Sequence, residues 1–193
     1  MKQSLVFATN NAHKIAEVRA QLGDRYSFRS LADIGCVEDI PETADTLEGN
    51  ARMKARYIWE NYGQDCFSED TGLEVHALNN KPGVDTAHYA GPQRSAEDNN
   101  RQLLSALGSR KDRLACFRTV ICLCRGGEEH LFEGNCEGRI ATYPTGAGGF
   151  GYDPLFIPTE GDGRSFAQMS QEEKARISHR ARALQKLLDY LRG

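Results

Sequence analysis

The sequence lacks the features that would direct it to a membrane or to nucleic acid. No apolar run approaches the roughly 20 residues of a membrane-spanning helix, and the N-terminal apolar run meets polar residues at Thr9, too early for a signal peptide. A net charge of −3 argues against a strongly basic surface, so we expect no nucleic-acid or membrane partner. Low-complexity tracts and obvious repeats are absent as well. The length alone allows one large domain or two small ones. We expect a cytoplasmic, globular chain with one domain over residues 1–193, which would bind a polyanionic small molecule where a few cations converge.

The cysteines lack metal-ligand spacing. Only one residue separates Cys122 from Cys124, and no second pair complements them as a zinc site would require. Cys66, Cys116 and Cys122 lie inside apolar, strand-like runs, where a thiol behaves as a small hydrophobic group. A chain of this length can bury a core without disulfides. The sequence therefore predicts reduced, buried thiols.

Glycine is concentrated in the stretch from Gly146 to Pro154, which reads GAGGFGYDP. Four glycines in nine residues free the backbone for positive φ and for close approach of another group, whereas a hairpin turn needs only one or two. Phe150 and Tyr152 offer ring faces, and Asp153 offers a carboxylate to fix orientation. This composition favours a ligand-facing loop over an incidental glycine-rich surface loop.

The N-terminal segment predicts a strand, a polar turn and a helix. Residues 4–8 form a short apolar run, the cap-type residues 9–11 follow, and an apolar helical period occupies residues 15–22. A helix N-terminus presents N–H groups and a positive dipole end to an anion, although a simple cap explains the asparagines about equally well. No Walker P-loop is present. Lys14 opposes the dipole in the first turn and so slightly favours a phosphate site.

Acidic residues flank or interrupt two further predicted elements. An amphipathic helix is expected over residues 47–62, with Glu42 before its first turn, where a carboxylate favours the dipole, and with Lys54 in solvent. Glu69 and Asp70 interrupt the strand-like run 66–75. Because aspartate is depleted in strands, this pair indicates either an exposed turn at Gly72 or metal binding at a strand end.

The C-terminal helical pattern leaves the position of His179 open. The pattern begins near Ser170, and Glu173 completes a capping box. On one continuous helix, which the spacing alone favours, His179 points to solvent. A break near Ser178, a cap-type residue, would instead place His179 and Arg180 at a new helix start facing a cleft. Between these regions we expect a helix opened by Ser95 and a hairpin joined at Gly126–Gly127.

Five segments together resemble the non-canonical purine nucleoside triphosphate pyrophosphatases, the inosine/xanthosine triphosphatase family. They are TNNAHK, ETADTLEGNARMKA, SEDTGLEV, GAGGFGYDP and EEKARISHR, in this order from residue 9 to 180. The departures are Asn10 where glycine is frequent, Glu69 where aspartate is common, and Glu48-Gly49 where an apolar residue and glutamate are usual. None of them removes a predicted catalytic group.

This resemblance implies a fold and a reaction. The fold would be a mixed, twisted α/β sheet flanked by helices, with two lobes around a central substrate cleft, in a homodimer. The reaction would be Mg²⁺-dependent hydrolysis of dITP, ITP, XTP or dXTP to the monophosphate and pyrophosphate, which cleans the nucleotide pool. A nucleotide sensor without turnover, and a pyrophosphatase for pyrimidine or modified nucleotides, are the alternatives.

The resemblance also implies residue roles. Glu42 and Asp70 match metal-site acids, and Asp70 matches the general base for the attacking water; Glu69 is a weaker candidate for either role. Lys14, Lys54 and Lys174 would offset triphosphate charge. The implied substrate-binding residues are Thr9, Asn10, Asn11, Ala12, His13, Lys14, Lys54, Thr71, Phe150, Gly151, Tyr152, Asp153, Lys174, His179 and Arg180.

Selection of the base would use the glycine-rich stretch and the C-terminal motif. Phe150 would stack on the purine, a contact of roughly 1–3 kcal/mol that tolerates any base. Arg180, which only donates hydrogen bonds, would pair with the 6-oxo group of hypoxanthine or xanthine together with His179. Adenine carries an amino donor at that position, so it would leave the donors of the site unmatched.

Overall fold

The computed structural model describes residues 5–23 and 26–193. Ser4, the first residue of the predicted N-terminal strand, lies outside them. The strands are β1 (Leu5–Phe7), β2 (Phe28–Arg29), β3 (Cys66–Val75), β4 (Lys81–Gly83), β5 (Leu114–Arg125), β6 (Glu128–Ile140) and β7 (Phe156–Pro158). The helices are α1 (Ala12–Leu22), α2 (Leu47–Tyr62), α3 (Ala96–Leu107), α4 (Gln171–Ile177) and α5 (His179–Arg192).

The strands form one seven-stranded mixed sheet in the order β2-β1-β3-β5-β6-β7, with β4 paired to β3. Strand β1 runs parallel to β2 and β3, whereas β4 is antiparallel to β3 and β7 is antiparallel to β6. The predicted mixed α/β sheet flanked by helices is therefore confirmed. The helix predicted over residues 47–62 and the hairpin at Gly126–Gly127 are also present, as α2 and as β5 with β6.

The described chain divides into two compact units. The first takes its residues from Met1–Asp70, Thr119–Gly134 and Ala181–Gly193, and the second from Thr71–Arg118 and Asn135–Arg180. Strands β3, β5 and β6 each contribute residues to both units. The single domain expected from the sequence stays a prediction, which one cooperative unfolding transition would support.

Each unit has a hydrophobic core of its own. In the first, the ring of Phe7 stacks on Phe67 with centroids 4.4 Å apart, and leucines of α1 and α5 pack around the pair. In the second, Phe117, Phe156 and Phe166 pack with leucines of α3. Because separate cores hold the two units, the candidate residues of each rest on a rigid, packed base.

The C-terminal helical pattern is broken at Ser178. Helix α4 ends at Ile177, Ser178 takes an extended conformation with φ −73° and ψ 153°, and α5 begins at His179. The expectation of one continuous helix with His179 in solvent is therefore wrong, because the extended residue turns the chain and buries His179 and Arg180. The alternative of a break near Ser178 is confirmed.

All six cysteines are buried and outside disulfides, and the burial predicted for Cys66, Cys116 and Cys122 is confirmed. In the part of the chain that the structure describes, no helix has both the length and the apolar character needed to cross a membrane.

Candidate active site

The adjacent acids of the first unit, Glu69 and Asp70, lie within β3, and the strand continues through both of them. It pairs with β1 through Cys66 and Phe67 and with β4 through residues 73–75, so the acids lie on the segment between the two pairings. Glu69 is buried. The alternative of an exposed turn at Gly72 is excluded, because the backbone stays extended through it.

Asp70 has a defined environment on this segment. Its Oδ2 atom accepts a hydrogen bond of 3.1 Å from the Asn50 side-chain amide, and its Oδ1 atom lies 3.8 Å from Lys54 Nζ. Burial raises the pKa of Asp70, and Glu42 raises it further, whereas Lys54, Lys14 and Asn50 lower it. Burial outweighs these ammonium groups, so the Asp70 carboxylate is a stronger proton acceptor than one in water.

Lys54 joins Asp70 to Glu42. Only 6% of Lys54 is exposed, so its expected position in solvent is wrong. The ammonium group pairs with Glu42 and donates to the Glu69 carbonyl oxygen at 2.7 Å. A buried lysine needs such compensation, and Glu42 therefore has a specific ionic contact besides the helix-dipole role that its position suggests.

The helix N-terminus at α1 combines a cap with an ion pair. Asn11 caps the helix, its Oδ1 atom accepting from the His13 and Lys14 amides at 3.0 and 3.2 Å. Lys14 Nζ lies 3.0 Å from Glu69 Oε1. The cap interpretation of Asn11 is thus confirmed, and Glu69 compensates the lysine that opposes the dipole. Four neighbouring candidates, Asn10, Asn11, Ala12 and His13, are exposed to solvent.

The acids of this unit fit a magnesium ion. Among the described residues, no three His, Cys, Asp or Glu side chains form a metal-binding group, so this part of the chain offers no closed cage. Two carboxylates, Glu42 and Asp70, converge on the single Lys54 ammonium. Mg²⁺ is characteristically held by one or two carboxylates, with water and phosphate oxygens completing its shell. The donor set therefore matches that ion.

The glycine-rich stretch of the second unit is packed against its own chain. A Cβ at Gly146 would collide with the Ala167 backbone, and one at Gly149 would collide with the Asp153 side chain. Both glycines have positive φ, 87° and 69°. Gly151, also at positive φ (59°), has open space around the position of a Cβ. Two of the glycines thus serve the folding of the loop, and Gly151 alone leaves room beside it.

Asp153 ties this loop to α4. Its Oδ2 atom accepts from the Phe150 amide at 2.9 Å and from Lys174 Nζ at 2.7 Å. The exposed fractions are 2% for Asp153 and 5% for Lys174. The carboxylate therefore joins the loop to Lys174, and the orienting role expected of Asp153 stays a prediction.

Two cations face the ring of Phe150. Lys174 Nζ lies 5.1 Å and Arg180 Cζ lies 5.6 Å from the ring centroid, distances typical of cation–π contacts. Arg180 is 2% exposed, and its guanidinium lies 3.4 Å from Thr71 Oγ1. His179 stacks on Phe117 with centroids 4.5 Å apart and planes 11° apart. Helix α5 thus begins with an imidazole and a guanidinium that are both held by aromatic rings.

The ring of Tyr152 is buried and does not lie exposed beside Phe150. Its side chain is buried in the core of the second unit, and its hydroxyl donates to the Thr86 carbonyl at 2.9 Å. The expected ring face at Tyr152 is wrong, because the ring packs into the core and the hydroxyl bonds to Thr86, while Phe150 stays partly exposed.

The sequence reasoning missed Asn50. This residue lies on the buried face of α2, and its amide bonds to both Asp70 and the Ala44 backbone. A signal was present in the sequence: an asparagine, a poor helix former, interrupts the apolar stripe four residues before Lys54.

The structure thus assembles two sets of candidate residues. The first set holds Glu42, Lys54 and Asp70 together with the Lys14–Glu69 pair. The second set holds Thr71, Phe150, Asp153, Lys174 and Arg180. Paired acids and buried cations on a mixed α/β sheet are typical of enzymes that act on phosphate anhydrides.

The chain belongs to the Ham1 family, whose sequence profile matches residues 5–190, and this membership confirms the resemblance seen in the motifs. A curated relative from Flavobacterium psychrophilum, named dITP/XTP pyrophosphatase, is 52% identical over 98% of this chain and 99% of its own length. Another of the same name, from Porphyromonas gingivalis, is 54% identical over 98% and 97%.

Solved structures agree with this membership. The Ham1 protein of Staphylococcus aureus superposes with a TM-score of 0.89 at 36% identity, covering 98% of each chain. A Mycobacterium abscessus structure described as a nucleoside-triphosphatase / dITP/XTP pyrophosphatase has a TM-score of 0.77 at 39% identity, covering 96% and 98%.

Proposed function

We propose that this protein hydrolyses dITP, ITP, XTP and dXTP to the nucleoside monophosphate and pyrophosphate, with Mg²⁺ as cofactor. The observation that carries the proposal is the convergence of Glu42 and Asp70 on the buried Lys54. Whole-length identity above 50% to proteins named dITP/XTP pyrophosphatase supports it. The metal, the residue roles and the preferred substrate are parts of the proposal.

Glu42 and Asp70 hold the metal in this proposal. When bound, Mg²⁺ supplies positive charge to the phosphates and lowers the pKa of a coordinated water. Asp70 accepts the proton of the attacking water at its carboxylate. Burial makes that carboxylate a better base than one in water, while Lys54 and Lys14 favour its ionised form.

The lysines and the α1 N-terminus bind the phosphates. Lys54 and Lys14 lie beside the acids of β3, where each compensates a carboxylate in the structure. A triphosphate would offer these ammonium groups further oxygens, and the solvent-exposed residues Asn10 to His13 would add backbone and side-chain donors. Phosphoryl transfer depends chiefly on such positioning and charge neutralisation.

Phe150, His179 and Arg180 select the base. Phe150 stacks on the purine, and its amide, fixed by Asp153, sets the position of the ring. Arg180 Cζ lies 5.6 Å from the centroid of that ring, so its donors would be close to a purine that packs on Phe150. They match the 6-oxo acceptor of hypoxanthine and xanthine and leave the adenine amino group unpaired.

A substrate panel tests the proposal. Pyrophosphate release is measured with Mg²⁺ for dITP, ITP and XTP, and for ATP, GTP, dTTP and UTP as competitors. We expect kcat/KM to be highest for the hypoxanthine and xanthine nucleotides. Tight binding without pyrophosphate release would instead favour a nucleotide sensor, and faster hydrolysis of dTTP or UTP would favour a pyrimidine-directed pyrophosphatase.

The assembly and the compartment remain proposals as well. We propose a homodimer, which the family resemblance implies, and a location in the cytoplasm. Light scattering on the purified chain would give a mass near twice 21.4 kDa for the dimer.

A further inference from the structure

The side chain of Asn50 joins two parts of the first unit that carry predicted catalytic acids. Its Oδ1 atom accepts a hydrogen bond of 2.9 Å from the Ala44 amide, two residues after Glu42. Its Nδ2 atom donates at 3.1 Å to Asp70 Oδ2. The residue is 3% exposed and both bonds are partly buried, so leaving either atom of the amide unpaired would be costly.

The chemistry of the two neighbours fixes the orientation of this amide. A backbone N–H can only donate, and an ionised carboxylate can only accept. Rotating the Asn50 amide by half a turn would therefore set donor against donor and acceptor against acceptor. Asparagine is the residue that presents one acceptor and one donor at this length, and an aspartate or leucine of similar size would lose at least one bond.

Helix α2 presents Asn50 and Lys54 to the two oxygens of Asp70. The residues are four apart, so they lie on the same face of the helix. Asn50 contacts Oδ2, whereas Lys54 stands 3.8 Å from Oδ1. Lys54 also pairs with Glu42. Two side chains from one rigid helix thus fix the plane of the Asp70 carboxylate and the segment that bears Glu42.

Gly49 shows how closely this segment approaches the helix. A Cβ at Gly49 would lie 2.6 Å from the Ala44 Cβ, well inside van der Waals contact. The Glu48-Gly49 departure from the family pattern therefore lets Ala44 pack against α2. This close packing brings the Ala44 amide within reach of Asn50.

We propose that Asn50 is a positioning residue, which holds the Asp70 carboxylate and the Glu42-bearing segment in a fixed relationship. This inference rests on the proposed function, in which these two acids hold Mg²⁺ and Asp70 activates water. Asn50 touches neither substrate nor metal in this role. It acts through the direction of the Asp70 carboxylate and through the backbone at Ala44.

The chain contains a matched control for this residue. Asn99 in α3 is also buried, at 4% exposure. Its Oδ1 atom accepts from the Ala90 amide at 2.7 Å, and its Nδ2 atom donates to the Ala87 carbonyl at 3.0 Å. It has the same two-bond pattern as Asn50, but both of its neighbours are backbone groups and neither is a predicted catalytic acid.

Aspartate at either position keeps the hydrogen bond that the asparagine oxygen accepts. In the other bond it replaces the N–H donor by an oxygen. In Asn50→Asp, the acceptor for the Ala44 amide remains, and a carboxylate oxygen faces Asp70 in place of the donor. In Asn99→Asp, the acceptor for Ala90 remains and an oxygen faces the Ala87 carbonyl. Each variant therefore loses one hydrogen bond. The new oxygen faces the Asp70 carboxylate at position 50 and the neutral Ala87 carbonyl at position 99.

We expect Asn50→Asp and Asn99→Asp to differ in kcat. Since an error of about 1 Å in a reacting group costs on the order of 100-fold in rate, Asn50→Asp should lower kcat for dITP by about that factor. The KM should change little. Asn99→Asp should keep kcat within about threefold, while the Tm of both variants falls by several degrees. Equal kcat values for Asn50→Asp and Asn99→Asp would overturn the proposal.

A reciprocal exchange tests the bridge without any turnover. In the double variant Asn50→Asp/Asp70→Asn, the amide and the carboxylate change places, so a donor again meets an acceptor. We expect its Tm to exceed that of Asn50→Asp, although it should not turn over because the base is gone. The Tm of Asn99→Asp/Asp70→Asn should show no such recovery over that of Asn99→Asp.

The two measurements keep the separate claims distinguishable. If the wild-type protein releases no pyrophosphate from dITP, the proposed function fails, and the thermal cycle still reports on the Asn50–Asp70 bond. If the wild type is active and the double variant shows no recovery of Tm, the bridge itself is refuted.

Discussion

Lys174 Nζ lies 2.7 Å from Asp153 Oδ2 inside the second unit, and both side chains are almost fully buried. The pair joins α4 to the loop that carries Phe150, whose amide donates to the same carboxylate oxygen. A buried ion pair contributes little net stability, but removing one member strands the other charge. The pair therefore makes the position of the loop depend on the position of α4.

Lys174→Met should leave the buried Asp153 carboxylate without its ammonium partner and lower the free energy of unfolding by about 3–5 kcal/mol. Urea denaturation measures this loss. Arg176→Met on the same helix is the control, because Arg176 pairs with Glu172 at 71% and 83% side-chain exposure. It should cost less than about 1 kcal/mol. Similar losses for the two variants would contradict a buried pair.

Asp70→Asn should lose turnover by roughly 10²–10⁴-fold, the usual contribution of a general base, and should still bind nucleotide. Steady-state pyrophosphate release and calorimetric binding of dITP measure the two properties. Asp189→Asn, which changes an exposed carboxylate of α5, should behave as the wild type. A wild-type rate in Asp70→Asn would refute the assignment of this residue as the base.

Removal of Mg²⁺ with excess EDTA should abolish pyrophosphate release, since the metal supplies charge to the phosphates. Glu42→Gln should raise the Mg²⁺ concentration needed for half-maximal rate, because an amide oxygen binds the hard dication more weakly than a carboxylate does. A magnesium titration of both proteins measures this. Persistent activity in EDTA, or unchanged magnesium dependence in Glu42→Gln, would remove the metal role.

Arg180→Ala should raise KM for ITP and narrow the ratio of kcat/KM between ITP and ATP by tenfold or more, on the order of magnitude that a matched polar contact supplies. Arg180→Lys keeps the charge but loses the planar fork of donors. It should therefore restore the KM for ITP more than the ratio of kcat/KM between ITP and ATP. Because Arg180 is buried, the Tm of each variant is measured to show whether the substitution destabilises the fold. An unchanged ITP/ATP ratio would count against base recognition by Arg180.

The capping box of α4 should give the protein an acid-sensitive contact. The Arg164 guanidinium, 2.7 Å from Glu173 Oε1, and the Ser170 backbone lower the pKa of Glu173 from 4.5 to about 2. Because this pKa is depressed on folding, its stabilisation is full above about pH 4.5 and is lost as the pH falls toward 2. Because the Glu173 side chain is partly exposed to solvent, its contribution to the free energy of unfolding is small.

Arg164→Gln should move the pKa of Glu173 upward, toward its ordinary value, in an NMR titration of the side-chain carboxyl group. The difference in Tm between Arg164→Gln and wild type should then shrink as the pH falls from about 5 to about 2. A difference that stays constant across this range would assign the effect to lost packing of the arginine instead.

Local periodicity and turn residues were enough to predict α2 and the β5–β6 hairpin, because their patterns are set by neighbours close in sequence. The mixed sheet, by contrast, was predicted from the family resemblance. The break at Ser178 was harder, since the apolar spacing from Ile177 onward fits a continuous helix equally well. Only packing in three dimensions turns Ser178 extended and buries His179.

The candidate site was likewise predicted only in part from the sequence. The motifs named Asp70, Lys54 and Phe150, but the buried state of Lys54 depends on Glu42 and on the Glu69 carbonyl, which are distant in sequence. The inward turn of Tyr152 likewise depends on Thr86, 66 residues away. Such compensating contacts between remote residues cannot be read from a single sequence.

The four-residue interval between Asn50 and Lys54 also restricts how this chain can change length. One residue inserted between them would rotate one side chain by about 100° around the helix axis, away from Asp70. An insertion at the exposed Gly126–Gly127 turn would rotate no such pair. Among descendants of this protein, length variation should therefore accumulate in the hairpin turn and be eliminated within this single turn of α2.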